Sequence, residues 1–308
     1  MSDQKPRLIR LVLNGKSSGN EVVRSAIYAM REQGHQIEVR VTWEFGDAAR
    51  YVEEAVDDKA DVVIAAGGDG TVNEVASGLM ATDSPTQCAM GIIPLGTAND
   101  FATGCGIPVG DPLAALRLIV DGQAYPIDLG QVNERYFVNV ASGGFGAEVT
   151  TSTPPELKKM LGGAAYAVMG IATAAKMTPH ACTVTLPDGT IRRGDVFVLT
   201  VGNGRQSGGG QQVAPHALLN DGLLDLMVIH DVDVLTFGKL VNEWISLGDE
   251  NNQNISYAQL PSFRIESVEP LQINLDGEPV RETVYEFRAV PNAIRLIMPP
   301  ETATIKKG

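Results

Sequence analysis

Cysteine, metal-ligand clusters and long apolar runs are scarce in this sequence, and each absence excludes a class of protein. The three cysteines, Cys88, Cys105 and Cys182, are scattered and odd in number. They predict neither a disulfide framework nor a zinc site, and they favour a reducing, cytoplasmic compartment. The longest uncharged stretch, residues 160–175, is shorter than the ~20 apolar residues that a transmembrane helix needs. We therefore expect no transmembrane segment.

Positive charge is also in short supply. Lysine and arginine number 24 against 37 acidic residues, which gives a net charge of −13. A chain this acidic is not expected to bind nucleic acid, and it lacks the basic clusters that hold proteins on anionic lipid. Any membrane contact is therefore expected to be peripheral and transient, and the sequence leaves the oligomeric state open.

Hydrophobic patterns divide the chain into two predicted domains. The first part alternates strand and helix patterns, which is typical of an α/β domain with a mostly parallel sheet. We place this domain at residues 1–127 and a second, β-rich sandwich domain at residues 128–308. Helices are expected near 155–177 and 233–247 in the second domain, and the chain from Thr302 is expected to be a loose tail.

The elements expected inside these domains follow from local periodicity and turn residues. In the first domain, the clearest strands are Arg7–Leu13 and Gln36–Val41, and the clearest helices are Glu21–Gln33, Gly46–Asp57 and Pro112–Asp121. Further along, the expected strands are Ala124–Gly130, Glu134–Val140, Cys182–Leu186, Val196–Val201, Leu223–Ile229, Ser262–Glu266, Leu271–Leu275 and Ala293–Met298. Asp-Gly pairs between these short strands predict an antiparallel sandwich or barrel.

A glycine-rich turn between a strand and a helix is the most informative motif. Gly67-Gly68-Asp69-Gly70-Thr71 follows the apolar run 62–66, and the apolar spacing of residues 72–80 is helical. Glycine lets the backbone approach a ligand closely, and the start of a helix attracts phosphate. Asp69 would repel bare phosphate, so it implies a bound cation. The motif predicts Mg-nucleotide binding, with a capped strand–helix turn as the alternative interpretation.

A second polar loop follows the next apolar run. Ile92-Ile93-Pro94 ends that run, and Leu95-Gly96-Thr97-Ala98-Asn99-Asp100-Phe101-Ala102 comes after it. Gly96 and Thr97 could approach phosphates, while the side chain of Asn99 or Asp100 could cap the next helix. Ligands bind at the carboxyl ends of strands in open α/β sheets. We therefore expect the two loops to be neighbours at that edge.

Three motifs in this order give the chain a family resemblance. The GGDGT run followed by VNEV, then PLGTANDFA, then Leu275-Asp276-Gly277-Glu278-Pro279, resemble the diacylglycerol kinase catalytic family and its bacterial lipid kinases. The resemblance runs from Leu13 almost to the end of the chain. It implies an ATP-dependent lipid kinase that phosphorylates a hydroxyl of a glycerol-headed lipid, with phosphatidylglycerol ahead of diacylglycerol.

Two other classes of protein stay open at this point. A soluble kinase of the NAD kinase kind shares GGDGT, although PLGTANDFA and the LDGEP run argue against it. The second alternative is a nucleotide-responsive binding protein without turnover. The intact carboxylates of Asp69, Asp276 and Glu278 argue against that alternative.

The resemblance also implies the residues that contact ATP. These are Thr42, Gly68, Asp69, Gly70, Thr71, Val72, Asn73, Glu74 and Thr97. For Thr71 and Asn73, capping of the helix is the alternative interpretation. The family tends to have proline after the asparagine of the first loop, whereas this chain has Gly15 after Asn14.

A second cation site is implied at another Asp-Gly turn. By resemblance, Mg²⁺ is held there by Asp221 and by the backbone carbonyls of Leu218 and Leu223. Ca²⁺ or another divalent cation would also accept this mixture of oxygen ligands. Whether the ion is catalytic, structural or regulatory is left open by the sequence.

Two carboxylates near the C-terminus are the candidates for the catalytic base. Phosphoryl transfer needs a group that accepts the proton of the acceptor hydroxyl. Asp276 and Glu278 are two residues apart, a spacing that would put both on one face of a strand. By resemblance, Glu278 is the base and Asp276 its alternative. A simple Asp-Gly hairpin turn with two solvated acids is the other interpretation.

Overall fold

The chain forms two compact units in the computed structural model. The described residues are 7–143, 179–230, 237–249 and 251–306. The first unit contains Met1–Leu129, Leu219–Asp221 and Val290–Gly308, and the second contains Gly130–Leu218 and Gly222–Ala289. The helix expected near 155–177 and the uncharged stretch 160–175 lie outside the described residues. None of the described helices is long and apolar enough to span a membrane.

The first unit is built on a parallel sheet. Its strands are β1 (Leu8–Leu13), β2 (Gln36–Val41), β3 (Val62–Gly67) and β4 (Ala89–Pro94). They lie in the order β4-β3-β1-β2, and each neighbouring pair is parallel. β3 and β4 are buried along their whole length, which explains their continuous apolar sequences. The predicted α/β domain with a mostly parallel sheet is confirmed.

Helices alternate with these strands. They are α1 (Glu21–Glu32), α2 (Asp47–Asp57), α3 (Asp69–Met80), α4 (Asp100–Gly104) and α5 (Pro112–Asp121). Local sequence determines where two of them begin. The Asn20 side chain accepts hydrogen bonds from two N–H groups in the first turn of α1. Asp111 caps α5 in the same way, directly before Pro112. Buried residues of α1, α5 and the strands form one apolar core.

A buried arginine connects α2 to the sheet. Arg10 lies in β1, and only 2% of its side chain is exposed. Its guanidinium lies 3.2 Å from a Glu54 carboxylate oxygen on α2 and 2.7 Å from an Asp58 oxygen just after that helix. A third carboxylate, Glu38 of β2, lies 3.1 Å away. A buried charge is tolerated when it is paired, so these carboxylates explain how an arginine fits inside a buried strand.

The second unit is rich in antiparallel strands. In chain order its strands are β5 (Ala124–Val132), β6 (Arg135–Phe137), β7 (Val140–Gly143), β8 (His180–Thr185), β9 (Ile191–Val196), β10 (Val198–Gly202), β11 (Gln206–Ser207), β12 (Gln211–Gln212), β13 (Leu224–Ile229), β14 (Ile255–Leu260), β15 (Ser262–Leu275) and β16 (Glu278–Ile297). β5 and β16 each contribute residues to both units. β13 lies between β14 and β10, and β7 lies between β10 and β15. The predicted β-rich sandwich domain is confirmed.

Three phenylalanines mark the core of the second unit. The rings of Phe263 and Phe287 are stacked with their centroids 4.9 Å apart, and Phe137 meets Phe287 edge-on at 6.4 Å. Aliphatic residues of β8, β10, β13 and β15 pack in the same cluster. Aromatic rings bury a large area each, so this cluster is a main source of stability for the unit.

Several strands differ from their sequence-based expectations. Ser262–Glu266 and Leu271–Leu275 belong to the single strand β15, with an irregularity in pairing register between them. The expected strand Glu134–Val140 is divided between β6 and β7. β9 and β14 were not expected as strands. The helix expected at 233–247 is represented by α6 (Phe237–Ile245).

The C-terminal segment is ordered in a way that the sequence did not indicate. Thr302 is 7% exposed and Thr304 is 3% exposed, and their hydroxyl groups are hydrogen-bonded to each other. The Thr304 carbonyl also accepts the N–H of Leu219 at 2.7 Å. The expectation of a loose tail from Thr302 is therefore wrong for the described residues. These contacts explain why Leu219–Asp221 and Val290–Gly308 belong to the first unit, although the expected boundary placed them in the second.

Candidate active site

The two glycine loops of the first unit are in direct backbone contact. β3 and β4 are adjacent and parallel, with Gly67 opposite Pro94, and the Leu95 N–H donates to the Gly67 carbonyl at 2.7 Å. A Cβ atom on Gly96 would lie 2.5 Å from the Cα atom of Gly68. Because no real Cβ comes so close to another backbone, only glycine fits at position 96. The prediction that the two loops are neighbours at one sheet edge is confirmed.

The loops after β1 and β2 join the same cluster. The Asn14 side chain donates to the Thr71 hydroxyl at 2.9 Å, and the Asn14 N–H donates to the Ala66 carbonyl. The Thr42 hydroxyl accepts the N–H of Gly15 at 3.2 Å. Four successive loops thus meet at the carboxyl edge of the sheet. Sequence reasoning overlooked Asn14, although an asparagine directly after a strand at this edge was a usable signal.

Gly15 has a structural reason to differ from the family's proline. A Cβ atom at this position would lie 2.3 Å from the Thr42 carbonyl oxygen. Proline would also remove the N–H that Thr42 accepts. The first loop therefore approaches the end of β2 more closely here than a proline would permit.

Asp69 holds the second loop against the first. Its two carboxylate oxygens accept the N–H groups of Asp100 and Phe101 at 3.3 and 3.2 Å, at the start of α4. The expectation that Asn99 or Asp100 caps this helix by its side chain is wrong. Asn99 instead makes two hydrogen bonds of 2.8 Å with the backbone N–H and carbonyl of Gly96. Asp69 thus caps a helix that begins thirty-one residues further along the chain.

Burial raises the pKa of Asp69 above its ordinary value. The N–H groups of Phe101 and Asp100 work in the opposite direction, while the negative charge of Asp100 adds to the increase. The net effect is that the charged carboxylate is disfavoured in the structure without ligands. A nearby cation would reverse this preference, because an opposite charge favours the ionised form.

The start of α3 carries the remaining predicted ATP contacts of the first loop. Its cap residue is Gly68, and no side chain caps the helix. The Thr71 hydroxyl accepts from Asn14, and the Asn73 side-chain oxygen accepts from Ser77. The capping interpretation for Thr71 and Asn73 is therefore wrong.

Exposure differs among the predicted ATP contacts. The side chains of Val72 and Asn73 are buried, that of Glu74 is half-buried, and Gly70 is exposed with open space where a Cβ would be. Thr97 is exposed on the second loop, between Gly96 and Asn99. The residues of the first unit predicted to bind ATP therefore lie on loops or a helix start at one sheet edge.

These residues fit a Mg²⁺-bound nucleotide. A carboxylate has about four acceptor positions, and the two long N–H bonds to Asp69 leave others for a cation or its water. The uncapped start of α3 and the glycine backbone suit phosphate oxygens.

A cavity of about 680 Å³ lies at the opposite, amino edge of the sheet, with Arg7, Lys59 and Arg295 in its lining, so it is distinct from the loop cluster.

In the second unit, Asp276 and Gly277 form the two-residue turn between β15 and β16. Their φ angles are 47° and 107°, and Leu275 pairs with Glu278 across the turn. Asp-Gly is a favoured pair in such turns because both residues take positive φ. The expectation that Asp276 and Glu278 share one strand face is therefore wrong, since Asp276 is in the turn and Glu278 begins β16.

Asp276 anchors this turn to residues 138–140, which lead into β7. Its carboxylate accepts the N–H groups of Val138, Asn139 and Val140, the shortest at 2.6 Å, and its own N–H donates to the Val140 carbonyl. Three N–H donors stabilise the charged carboxylate, so Asp276 is suited to positioning the turn. Glu278 has an exposed side chain. Its role as the base stays a prediction.

The predicted metal ligands of the second site are in different units. Asp221 belongs to the first unit, where the neighbouring Leu219 accepts the Asp128 N–H at 2.6 Å. Leu218 and Leu223 belong to the second unit. Among the described residues, no three His, Cys, Asp or Glu side chains are grouped as a metal site. A site with one carboxylate and carbonyl ligands stays a prediction.

The chain thus combines a parallel-sheet unit that carries nucleotide-suited glycine loops with an antiparallel β-rich unit, and both units match known families. Residues 9–132 match the diacylglycerol kinase catalytic domain, and residues 139–298 match the YegS C-terminal NAD kinase beta sandwich-like domain. The chain belongs to the YegS-like lipid kinases of the diacylglycerol kinase family. The resemblance expected from its motifs is thereby confirmed.

Individual relatives agree with this family. A protein of Pectobacterium atrosepticum named "Probable lipid kinase YegS-like" is 45% identical over 98% of this chain and 100% of its own length. A protein of Serratia proteamaculans with the same name is 46% identical over 94% of this chain and 93% of its own. The crystal structure of a diacylglycerol kinase from Bacillus anthracis shares the fold, with a TM-score of 0.76 at 23% identity over 98% of this chain and 100% of its own. The chain is an ATP-dependent lipid kinase.

Separating the two glycine loops should weaken ATP binding. Gly96→Ala places a Cβ atom 2.5 Å from Gly68 Cα and 2.9 Å from Asn99 Oδ1, so the loops must move apart. We expect the affinity for Mg-ATP, measured by titration calorimetry, to fall by about tenfold or more. Gly104→Ala is the matched control, because its Cβ would meet nothing within 4 Å. Unchanged affinity in Gly96→Ala would contradict the proposed nucleotide site.

The raised pKa of Asp69 predicts a pH-dependent effect on stability. An acid whose folded pKa exceeds its unfolded value favours folding while it is protonated, and this contribution is lost as the pH rises through the folded pKa. Asp69→Asn cannot ionise. The variant should therefore gain stability relative to the wild type between the ordinary Asp pKa of 3.8 and neutral pH. Thermal unfolding without nucleotide measures the difference.

Asp188 provides a control of opposite sign. Its pKa is lowered because the Thr190 N–H and hydroxyl donate to its carboxylate. Its contribution to stability is therefore present above its unfolded pKa and lost as the pH falls through the folded one. Asp188→Asn should lose stability relative to the wild type as the pH rises from below the folded pKa to the ordinary Asp pKa of 3.8, and the difference should stay constant from there to neutral pH. If both variants responded in the same direction, burial of Asp69 would not be the cause of its shift.

Proposed function

We propose that this lipid kinase transfers the γ-phosphoryl group of ATP to a hydroxyl of a glycerol-headed membrane lipid, with phosphatidylglycerol ahead of diacylglycerol as the acceptor. The observation that carries the proposal is the backbone contact of Gly68 and Gly96, which assembles nucleotide-suited loops at one edge of the sheet. The names of the relatives support a lipid acceptor over the soluble NAD kinase alternative.

In this proposal the first unit binds the nucleotide. Backbone groups at the start of α3, from Gly68 to Glu74, contact the phosphates, and Thr42 and Thr97 contribute hydroxyl groups from neighbouring loops. Asp69 would hold Mg²⁺ directly or through water, and the ion when bound neutralises phosphate charge. The Asp221 turn would hold a second divalent cation with a carbonyl-rich ligand set.

The second unit supplies the proton acceptor. Glu278 has an exposed carboxylate at the first position of β16, next to a turn whose backbone is fixed by Asp276. In the reaction, Glu278 takes the proton of the acceptor hydroxyl as its oxygen attacks the γ-phosphorus, and ADP leaves. Asp276 acts as a positioning residue, because its oxygens accept backbone N–H groups.

Product analysis tests the acceptor. The protein is incubated with ATP labelled in the γ-phosphate, Mg²⁺ and a total bacterial membrane lipid extract, and the labelled species are identified by mass spectrometry. We expect phosphorylated phosphatidylglycerol as the main product. Labelled phosphatidic acid would instead indicate diacylglycerol, and labelled NADP from a parallel incubation with NAD would contradict a lipid acceptor. Replacing Mg²⁺ with Ca²⁺ in the same assay tests the choice of metal.

Removal of the proposed base tests the mechanism. Glu278→Gln keeps the size of the side chain but cannot accept the proton, so transfer should fall about 10²–10⁴-fold while Mg-ATP affinity stays unchanged. Glu282→Gln is the matched control, because Glu282 is also exposed on β16 and lies an even number of residues away on the same face. Full turnover by Glu278→Gln would exclude Glu278 as the base.

A further inference from the structure

The loop after β2 exposes two large aromatic side chains. Trp43 and Phe45 are each 93% exposed, and Val41 at the end of the strand is 39% exposed. Trp43 is one of only two tryptophans in the chain. An aromatic side chain presents roughly 150–250 Å² of surface, and such residues are usually largely buried. Two of them, fully exposed within three positions, indicate a surface that meets an apolar partner. We call Val41, Trp43 and Phe45 the aromatic loop.

The backbone of the aromatic loop is fixed in place. On one side, the Thr42 N–H donates to the Leu13 carbonyl at 2.9 Å. On the other side, the buried Asp47 carboxylate accepts the N–H groups of Trp43 and Glu44 at 2.7 and 3.1 Å. These hydrogen bonds and the contact with Arg50 lower the pKa of Asp47 to about 2. The loop therefore presents its aromatic side chains on a defined backbone at physiological pH.

The position of the loop relates it to the nucleotide site. Thr42, which the proposed function assigns to ATP binding, directly precedes Trp43 and accepts the Gly15 N–H. The aromatic loop therefore lies at the carboxyl edge of the same sheet, in the same unit, as the glycine loops. A surface that held a membrane here would bring the nucleotide edge to the lipid.

The charge of the chain favours an apolar mode of attachment. With a net charge of −13, the protein is repelled by anionic lipid rather than attracted to it. Glu44 lies between the two aromatic residues and adds to that repulsion. Tryptophan and phenylalanine favour the boundary between headgroups and acyl chains, where they bury apolar surface without a need for positive charge.

We infer that the aromatic loop inserts into the headgroup region of a lipid bilayer and docks the nucleotide-binding edge of the first unit on the membrane. The inference rests on the lipid acceptor of the proposed function, but it concerns membrane binding and not turnover. Because the contact is apolar, binding should persist at high salt, unlike the attachment of a basic patch.

Fluorescence of Trp43 gives a direct test. Trp244→Phe leaves Trp43 as the sole tryptophan. Trp244 is half-buried against the core cluster that includes α6, and it is distant in sequence from the aromatic loop, so its replacement leaves that loop unchanged. Adding phosphatidylcholine vesicles, without or with phosphatidylglycerol, should move the emission to shorter wavelength. Lipids brominated on their acyl chains should quench it. The same vesicles without brominated lipid are the control for light scattering. If Trp43 stayed in water, neither the shift in emission nor the quenching would occur.

Vesicle sedimentation tests the loop in the native sequence. Trp43→Ala combined with Phe45→Ala should weaken binding to the same vesicles by about tenfold or more, with Mg-ATP affinity unchanged. Both residues are almost fully exposed, so the fold should be retained. The matched control is Tyr28→Ala, an exposed aromatic residue of α1 in the same unit, which should bind vesicles like the wild type.

Four results would overturn the inference. They are unchanged sedimentation of the double variant, loss of binding at high salt, quenching of Trp43 by ATP but not by brominated lipid, and a dimer in solution that the double variant abolishes. The third would indicate stacking on the nucleotide base, and the fourth an interface between copies of the chain. None of these measurements uses turnover, so failure here would leave the lipid product assay of the proposed function unaffected.

Discussion

The backbone contact between Gly68 and Gly96 is the constraint on which the candidate site depends. It exists because β3 and β4 are adjacent and parallel, so their following loops leave the sheet at the same edge. Any side chain at Gly96 would separate the loops. Once the backbones are in contact, Asp69 can reach the start of α4. Long-range hydrogen bonds thus follow from a steric condition that only glycine meets.

In the second unit, a carboxylate holds a turn in place. A two-residue turn at the end of a long hairpin is exposed and would ordinarily vary in position. The Asp276 carboxylate accepts three N–H groups of residues 138–140, which lead into β7, so the turn and the adjacent Glu278 backbone have a fixed location within their unit. A base must be held within hydrogen-bonding distance of the proton it accepts. Asp276, which the sequence offered as the alternative to Glu278, is therefore better explained as the support of this turn.

The fold was largely predictable because the spacing of apolar residues along the chain reflects which side chains are buried. Gln36–Val41 has the bounds expected from its sequence, and the neighbouring loops followed from the rule for parallel strands. β9 was missed because its residues are mostly exposed and include charges, so no apolar alternation marks it. The roles of Asn14 and Asp69 depend on partners far along the chain, which local spacing does not record. The shared face expected for Asp276 and Glu278 failed because a period of two applies inside a strand, not across a turn.

The start of α3 lacks features that usually stabilise a helix, and this supports the proposal that it binds phosphate. A helix ordinarily gains from a side-chain cap, yet Gly68 provides none. Burial of a carboxylate is ordinarily avoided, yet Asp69 is buried enough to raise its pKa. The N–H groups of α4 that Asp69 caps offset its burial only in part, since its pKa stays raised. Both features become favourable when a cation and phosphates are present, because the charge is then paired and the N–H groups acquire acceptors. Under the proposed function, nucleotide binding offsets the cost of both features.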